Sequence, residues 1–272
     1  MRVKGLKTGW PEKRIGSWKG LLSLSAAMAL DSEFQPTIIY RGQADATWDM
    51  KPSLHRCLEP DVDAASIIAL EAHLVSRFRS QAGLHLRNPQ FLPTRMSIID
   101  SWILMQHYQA PTRLLDWTRS FFVATYFAVE SQPEKDGAVW CCNNRLLQSG
   151  LEKLYGVNNL AGNPENSQLI ADAPNWVSVV EPGILTDRMV AQQAMISYCW
   201  NAAGNQQAIM NEVFEVYHAD APMQLIKFII PKEYKPEFLQ NLRTMNIAAN
   251  TLFPGIDGFG RSLTELARLQ RK

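Results

Sequence analysis

The sequence predicts an α+β fold, a single compact domain in which a small mixed or antiparallel sheet is flanked by helices. Three observations predict it. Helical and strand-like segments are interspersed without regular βαβ alternation, which disfavours a doubly wound parallel sheet. The 272 residues are 46% hydrophobic, enough for one substantial core. No internal repeat and no convincing linker divides the chain, so residues 1–16 read as an N-terminal arm and residues 17–272 as one domain.

The elements follow in order. Ser17 to Leu30 places Trp18, Leu21, Leu22, Leu24 and Met28 at helical spacing. Thr37 to Tyr40 is β-branched and aromatic, and predicts a short buried strand running into Arg41-Gly42. Ile67, Leu70, Leu74 and Phe78 recur at intervals of three and four, predicting an amphipathic helix over Asp63 to Arg79. Another helix follows Pro93-Thr94 to about His107 and is barred by Pro111, because the residue before a proline avoids the helical region. Arg113 to Asp116 is expected to be extended, with Asp116 or Thr118 capping a third helix that reaches about Glu130. Gly137 to Cys142, Trp176 to Val180 and Leu225 to Ile230 predict strands. Glu237 to Met245 predicts a helix, and a last helix starts at Ser262, where Glu265 completes a capping box. Residues 143–174, rich in Asn, Gly and Ser and without periodicity, read as a mobile insertion or lid.

Lysine and arginine number 27 against 26 acidic residues, a net charge of +1. That balance excludes a broad basic footprint for nucleic acid or membrane, but leaves room for a local basic pocket. Met1 to Pro11 lacks the apolar segment of a signal peptide, and no stretch reaches the length of a membrane span. A cytoplasmic protein without membrane association is expected. Of the cysteines, Cys57 and Cys199 are isolated, while Cys141-Cys142 are adjacent and in a strand point to opposite faces. No C-x-x-C spacing signals zinc or redox chemistry, so reduced, mostly buried cysteines and no metal are expected.

The P-loop, H-E-x-x-H and G-x-S-x-G signatures are absent. Gly258-Phe259-Gly260 lacks the preceding buried strand of a dinucleotide fingerprint and reads as a turn. Two segments stand out. In Tyr40-Arg41-Gly42-Gln43 an arginine directly follows a buried strand; its five donors suit a phosphate or carboxylate, and Gly42 lets backbone approach a ligand. The same arginine also suits a structural ion pair with Asp45 or Asp116. The second segment, His107 to Ser120, gathers His107, Tyr108, Arg113, Asp116, Trp117, Thr118 and Ser120 around two structural transitions, where sites form. A helix starting near Thr118 or Arg119 presents free N–H groups to an anion, and Tyr108 or Trp117 can stack on a base or a nicotinamide ring. The plainer alternatives are core packing for Trp117, a helix-end hydrogen bond for His107, and capping with an ion pair to Arg113 for Asp116. Later carboxylates are Glu181, Glu212 and Glu215, each of which also fits solvated surface.

Tyr40-Arg41-Gly42-Gln43, Gln106-His107-Tyr108, Pro111 through Thr118, Ala124 and Tyr126-Phe127-Ala128 together resemble the FRG domain. Asp187-Arg188, Ala191-Gln192-Gln193 and Thr251 through Gly258 resemble its later blocks, so the likeness runs from about Ser17 to the C-terminus. It departs at Ala194-Met195-Ile196, where family members carry glycine and then phenylalanine. A second resemblance is to ADP-ribosyltransferases of the Arg-Ser-Glu type. Arg41 matches their aromatic-Arg strand. Asp116-Trp117-Thr118-Arg119-Ser120, followed by Ala124 through Ala128, is similar to their Ser-Thr-Ser strand and helix, with only Thr118 and Ser120 keeping hydroxyls.

This second resemblance implies an ADP-ribosyltransferase-like fold, NAD as co-substrate, and a macromolecular acceptor, either protein or nucleic acid. Arg41 would hold an NAD phosphate and ribose, with Gly42, Gln43, His107, Tyr108, Arg113, Trp117, Thr118 and Ser120 around the cofactor. Asp116, Gln193 or Glu215 would supply polar contacts to ribose or acceptor. Gln192-Gln193 lies at the late block where that type carries a glutamate, but an amide cannot supply its negative charge. Glu181, Glu212 and Glu215 are the candidate carboxylates. Family analogy adds an effector role in bacterial antiviral defence. Two other readings stay open: a non-catalytic module sensing a nucleotide, nucleic acid or phage product, and an NAD glycohydrolase or nuclease using His107 with Asp116.

Overall fold

The computed structural model describes residues 10–30, 38–85, 96–155, 173–183, 186–217 and 225–270. Seven strands form one sheet: β1 (Glu12–Arg14), β2 (Ile38–Gln43), β3 (Leu115–Thr118), β4 (Gly137–Asn143), β5 (Val177–Val180), β6 (Ala194–Cys199) and β7 (Leu225–Ile230). Their order is β1-β7-β4-β2-β3-β6-β5, antiparallel throughout except for the parallel edge pair β1–β7. The fold is α+β with a mixed sheet, as the interspersed elements predict, and the sheet is wider than the sequence suggests. The helices are α1 (Trp18–Leu30), α2 (Ser53–Arg56), α3 (Ala64–His85), α4 (Ile98–His107), α5 (Phe121–Val129) and α6 (Asn144–Tyr155). They continue with α7 (Asp187–Ala191), α8 (Gln206–Tyr217), α9 (Lys235–Thr244), α10 (Ala249–Leu252) and α11 (Ile256–Leu269). No helix among the described residues is long and apolar enough to cross a membrane.

Alternation along β4 sorts the core into two layers. Val139 and Cys141 join Phe121, Ala124, Phe238 and Leu242 under α5 and α9, whereas Trp140 and Cys142 join Trp102, Leu147 and Val213 under α4, α6 and α8. The adjacent cysteines are therefore buried on opposite faces, and both are free. With helices on both sides, inner strands such as β6 are buried along nearly their whole length and lose the alternation of a half-exposed strand.

Several boundaries differ from those expected. Part of the segment read as an arm is an edge strand, Glu12–Arg14, paired with Lys227–Ile229. The first third of the expected insertion is α6, which buries Leu147, Gly150 and Leu151; residues 156–172 lie outside the described residues. Pro93-Thr94 and Thr37 also lie outside them. Ser97 caps α4, accepting 3.0 Å from Asp100 N–H. Asp116 and Thr118 do not cap the third helix because both lie in β3; Ser120 does, its Oγ accepting 3.2 Å from Val123 N–H. The last helix starts at Ile256, so Ser262 and Glu265 are buried mid-helix rather than at a cap. There Glu265 accepts from Tyr126 Oη at 2.6 Å, Ala249 N–H at 3.1 Å and Arg243 Nη1 at 2.5 Å. Gly258 is part of this helix and not a turn; a Cβ there would overlap the Phe253 carbonyl.

Two packing features position the site. A Cβ on Gly42 would overlap the Ala124 carbonyl, so glycine is what lets α5 lie directly on β2. The expectation that Gly42 admits a ligand to the backbone is thereby corrected on its α5 side. Arg113, 1% exposed, grips Glu71 of α3, 3% exposed, with both Nε and Nη2, and donates to the carbonyls of Cys199 and Trp200 at 3.3 and 3.1 Å. This pair ties α3 to the ends of β3 and β6. A buried charge left without its partner is strongly destabilising. Glu71→Ala should therefore lower the unfolding free energy by about 3–5 kcal/mol in urea denaturation, while Glu71→Met combined with Arg113→Met costs clearly less. Equal losses in the two variants would mean that the pair's charges do not determine this site's stability.

Candidate functional site

β2 and β3 share a single registered pair, Tyr40 with Thr118, although β2 continues to Gln43 and β3 begins at Leu115. On its other side β3 is fully laddered to β6, through Leu115–Thr118 against Ser197–Ala194. The sheet thus forks between β2 and β3. Inside the fork Arg41 Nη1 donates 2.6 Å to the Asp116 carbonyl, supplying from a side chain the donor that a continued ladder would have supplied from backbone.

A cavity of about 230 Å3 occupies the fork. β2 contributes Tyr40, Arg41 and Gly42, and β3 contributes Asp116, Trp117 and Thr118. α4 adds Ile103, Gln106 and His107, α5 adds Phe127, and Arg188, Met189, Gln192, Ala194 and Ile196 complete the wall. Arg41 and the Trp117 segment therefore share one cavity. The first turn of α5 is not part of its wall, since Phe121 and Val123 are core residues, so the expected anion site at that helix start is not formed.

The Arg41 guanidinium is unevenly satisfied. Nη1 is bonded as above, whereas Nε is buried without a hydrogen-bond partner among the described residues. Burial pushes its pKa down from the ordinary value, opposed by Asp116, but an arginine stays charged at neutral pH. Asp116 is the only carboxylate on the wall among the described residues. Its Oδ1 accepts 2.6 Å from Gln106 Nε2, and Gln106 Oε1 in turn accepts from Thr112 Oγ1, which fixes the amide. Arg188 lines the same cavity; burial lowers its pKa, Asp116 opposes that shift and Arg261 adds to it. His107 is half-buried, and burial and then Arg188 push its pKa below the ordinary value, which keeps the imidazole neutral at pH 7.

The remaining sequence candidates divide clearly. Thr118 Oγ1 donates 2.7 Å to the Gln192 carbonyl and accepts 3.0 Å from Ser120 N–H, so its hydroxyl serves the turn. Trp117 is 3% exposed and donates 2.8 Å to Ser197 Oγ, presenting a wall rather than a free stacking face. Gln43 is held by Trp140 Nε1 and by the Asp49 carbonyl. Arg113 is consumed by Glu71, and Tyr108 is exposed beside a separate groove between α3 and α4. Gln193 turns outward at φ 46°, a left-handed conformation, and its carbonyl accepts 3.1 Å from Arg119 N–H. Glu181 pairs with Arg119 at the surface. Glu215 lies on α8, bonded to Asn211 at 3.1 Å, away from the cavity. Neither Gln193 nor Glu215 is thus placed to act with Arg41. Arg188, Gln106 and Gln192 are the residues that site reasoning passed over. All three lie in the FRG-like blocks, the only sequence signal that marks them. No group of three or more His, Cys, Asp or Glu among the described residues is placed to hold a metal.

These features define an α+β protein with an arginine-lined cavity in the fork of a mixed sheet. Residues 36–137 match the family model of the FRG domain. The match covers β2 to the start of β4 and is shorter than the likeness that begins near Ser17. It contains Arg41, Gln106, His107 and Asp116, while Arg188 and Gln192 come from beyond it. No curated protein and no solved structure matches the chain.

The depressed His107 pKa gives a direct check. Its NMR titration midpoint should fall below 6.5, and Arg188→Met should raise it without fully restoring 6.5, because burial remains. Between the two pKa values the unfolded state binds more protons, so stability contributed by neutral His107 is complete above about 6.5 and is lost as pH falls through the folded midpoint.

Proposed function

We propose that the cavity binds the phosphate-bearing part of a nucleotide and that the chain is an ADP-ribosyltransferase-like protein using NAD. The observation that carries the reading is Arg41 Nε, a buried cationic donor without a partner on the wall of a cavity. An unmade hydrogen bond of this kind is costly, and an anionic oxygen is its best acceptor. A volume of about 230 Å3 is below the roughly 300–1,000 Å3 of pockets that enclose whole small ligands, so part of the nucleotide stays at the mouth. The order of elements agrees with the resemblance: neighbouring strands β2 and β3 and the turn before β6 bring Arg41, Thr118 and Gln192 to one wall.

In this reading the bond between the ribose anomeric carbon and nicotinamide breaks, with its electron pair leaving on nicotinamide. The ribose develops oxocarbenium character, and Asp116, held by Gln106, stabilises that charge through space. The acceptor nucleophile forms the new bond and releases its proton to water. A second reading, a nucleotide-sensing module without turnover, is favoured by the two arginines, Arg41 and Arg188, that share Asp116 and weaken its field, and by the neutral Gln192 on the same wall.

The test is incubation of the whole chain with labelled NAD and a lysate containing protein and nucleic acid. Arg41→Ala should weaken NAD binding about 10- to 100-fold, the value of one charge-assisted hydrogen bond. Asp116→Asn should keep binding and reduce nicotinamide release by at least about tenfold. Binding without release or transfer selects the sensing module, release without transfer selects a glycohydrolase, and absence of binding rules out NAD.

A further inference from the structure

Beyond the wall, Phe253 carries two arginines on its ring. Arg188 Cζ lies 4.7 Å and Arg261 Cζ 4.4 Å from the ring centroid, and Phe127 of the cavity wall meets the same ring edge-on at 6.0 Å. The ring's negative face attracts each cation, but the two guanidiniums repel one another. Among the described residues neither one forms a hydrogen bond or an ion pair, although arginine readily takes both. Arg188 is half-buried and pinned on the ring, so much of its conformational freedom is already lost before any ligand arrives. Arg41 and Arg188 both line the cavity and both feel Asp116, the one carboxylate on the wall among the described residues, while Arg188 in turn feels Arg261. Among the described residues the wall carries two permanent cations, Arg41 and Arg188, against one carboxylate, beside a neutral imidazole, and Arg261 adds a further cation outside the wall.

We propose that Arg188 and Arg261, held on Phe253, form a second anion subsite, and that the ligand of this fork is a diphosphate. One phosphoryl group occupies the cavity against Arg41 Nε, and the second sits at the rim between Arg188 and Arg261. Arg261 is the residue that distinguishes a diphosphate from a monophosphate, since it lies outside the cavity wall and reaches only the outer group. Arg41 serves both ligands. This assignment rests on the nucleotide-binding reading of the cavity, and adds which phosphates are counted and by which side chains.

The experiment is calorimetric titration of the full chain with inorganic pyrophosphate and, separately, inorganic phosphate at low salt. The wild type should bind pyrophosphate about tenfold or more tightly than phosphate, since a charged hydrogen bond contributes about 1.5–3 kcal/mol. Arg261→Ala should lower pyrophosphate affinity about tenfold and leave phosphate affinity within about twofold, and Arg261→Lys should recover part of the loss. Arg261 is exposed on α11, so these variants should fold, which circular dichroism confirms alongside. Equal affinity of the wild type for the two ions, no binding of either, or equal weakening of both in Arg261→Ala would overturn the proposal. Selectivity that depends on Arg261 in a chain that does not use NAD would keep the diphosphate subsite and remove the transferase reading. NAD turnover that is indifferent to Arg261, without pyrophosphate selectivity, would do the reverse.

Discussion

The hydrogen bond from the Arg41 guanidinium to the Asp116 carbonyl holds the sheet together where its ladder stops. β2 and β3 meet at one residue pair and then separate, and at the end of that separation a long charged side chain takes the place of a backbone donor. A guanidinium has five N–H donors, so bridging the strands with one leaves others to be satisfied. Its Nε is buried and unmet. Opening the sheet and presenting a cation are therefore a single structural event, and neither could be altered by substitution without altering the other.

The two arginines that the sequence places in its polar segments have opposite fates for a simple reason. Arg113 lies opposite a buried glutamate and two carbonyls, and its charge is neutralised inside the core. Among the described residues the carboxylate that acts on Arg41 is the exposed Asp116, which it shares with Arg188, so its charge remains available. Partner geometry decides which buried arginine is structural and which can meet a ligand. The Phe253 ring extends the same logic outward, because an aromatic face can hold cations without neutralising them.

Much of the fold was legible in the sequence. The 3.6-residue spacing of Ile67, Leu70 and Leu74 marked α3, and the β-branched run at Ile38-Ile39 marked β2. What stayed hidden has physical causes. β6 is buried on both faces and so shows no alternation, and β1 is three charged residues whose strand identity comes only from pairing with β7. In α11 the polar Ser262 and Glu265 face the interior, where Arg243 and Tyr126 satisfy the carboxylate, so a capping pattern was read where none operates. For the site, Arg41 and Asp116 were marked by density of polar residues beside element ends, and they do share the cavity. Glu215 and Arg113 carry the same residue chemistry, but the topology sends them elsewhere. Arg261 and Phe253 escaped because nothing local distinguishes a cation that rests on a ring from one that rests in water.

The most direct measurement is a 1H–15N correlation spectrum of the arginine Nε–H groups during titration with pyrophosphate, with the Arg41 signal identified by its loss in Arg41→Lys. The account predicts that this resonance moves downfield in proton as a new acceptor reaches Nε, saturating together with binding. If pyrophosphate binds and perturbs other arginines while the Arg41 signal stays fixed, the anion is held elsewhere and the fork is not the ligand site.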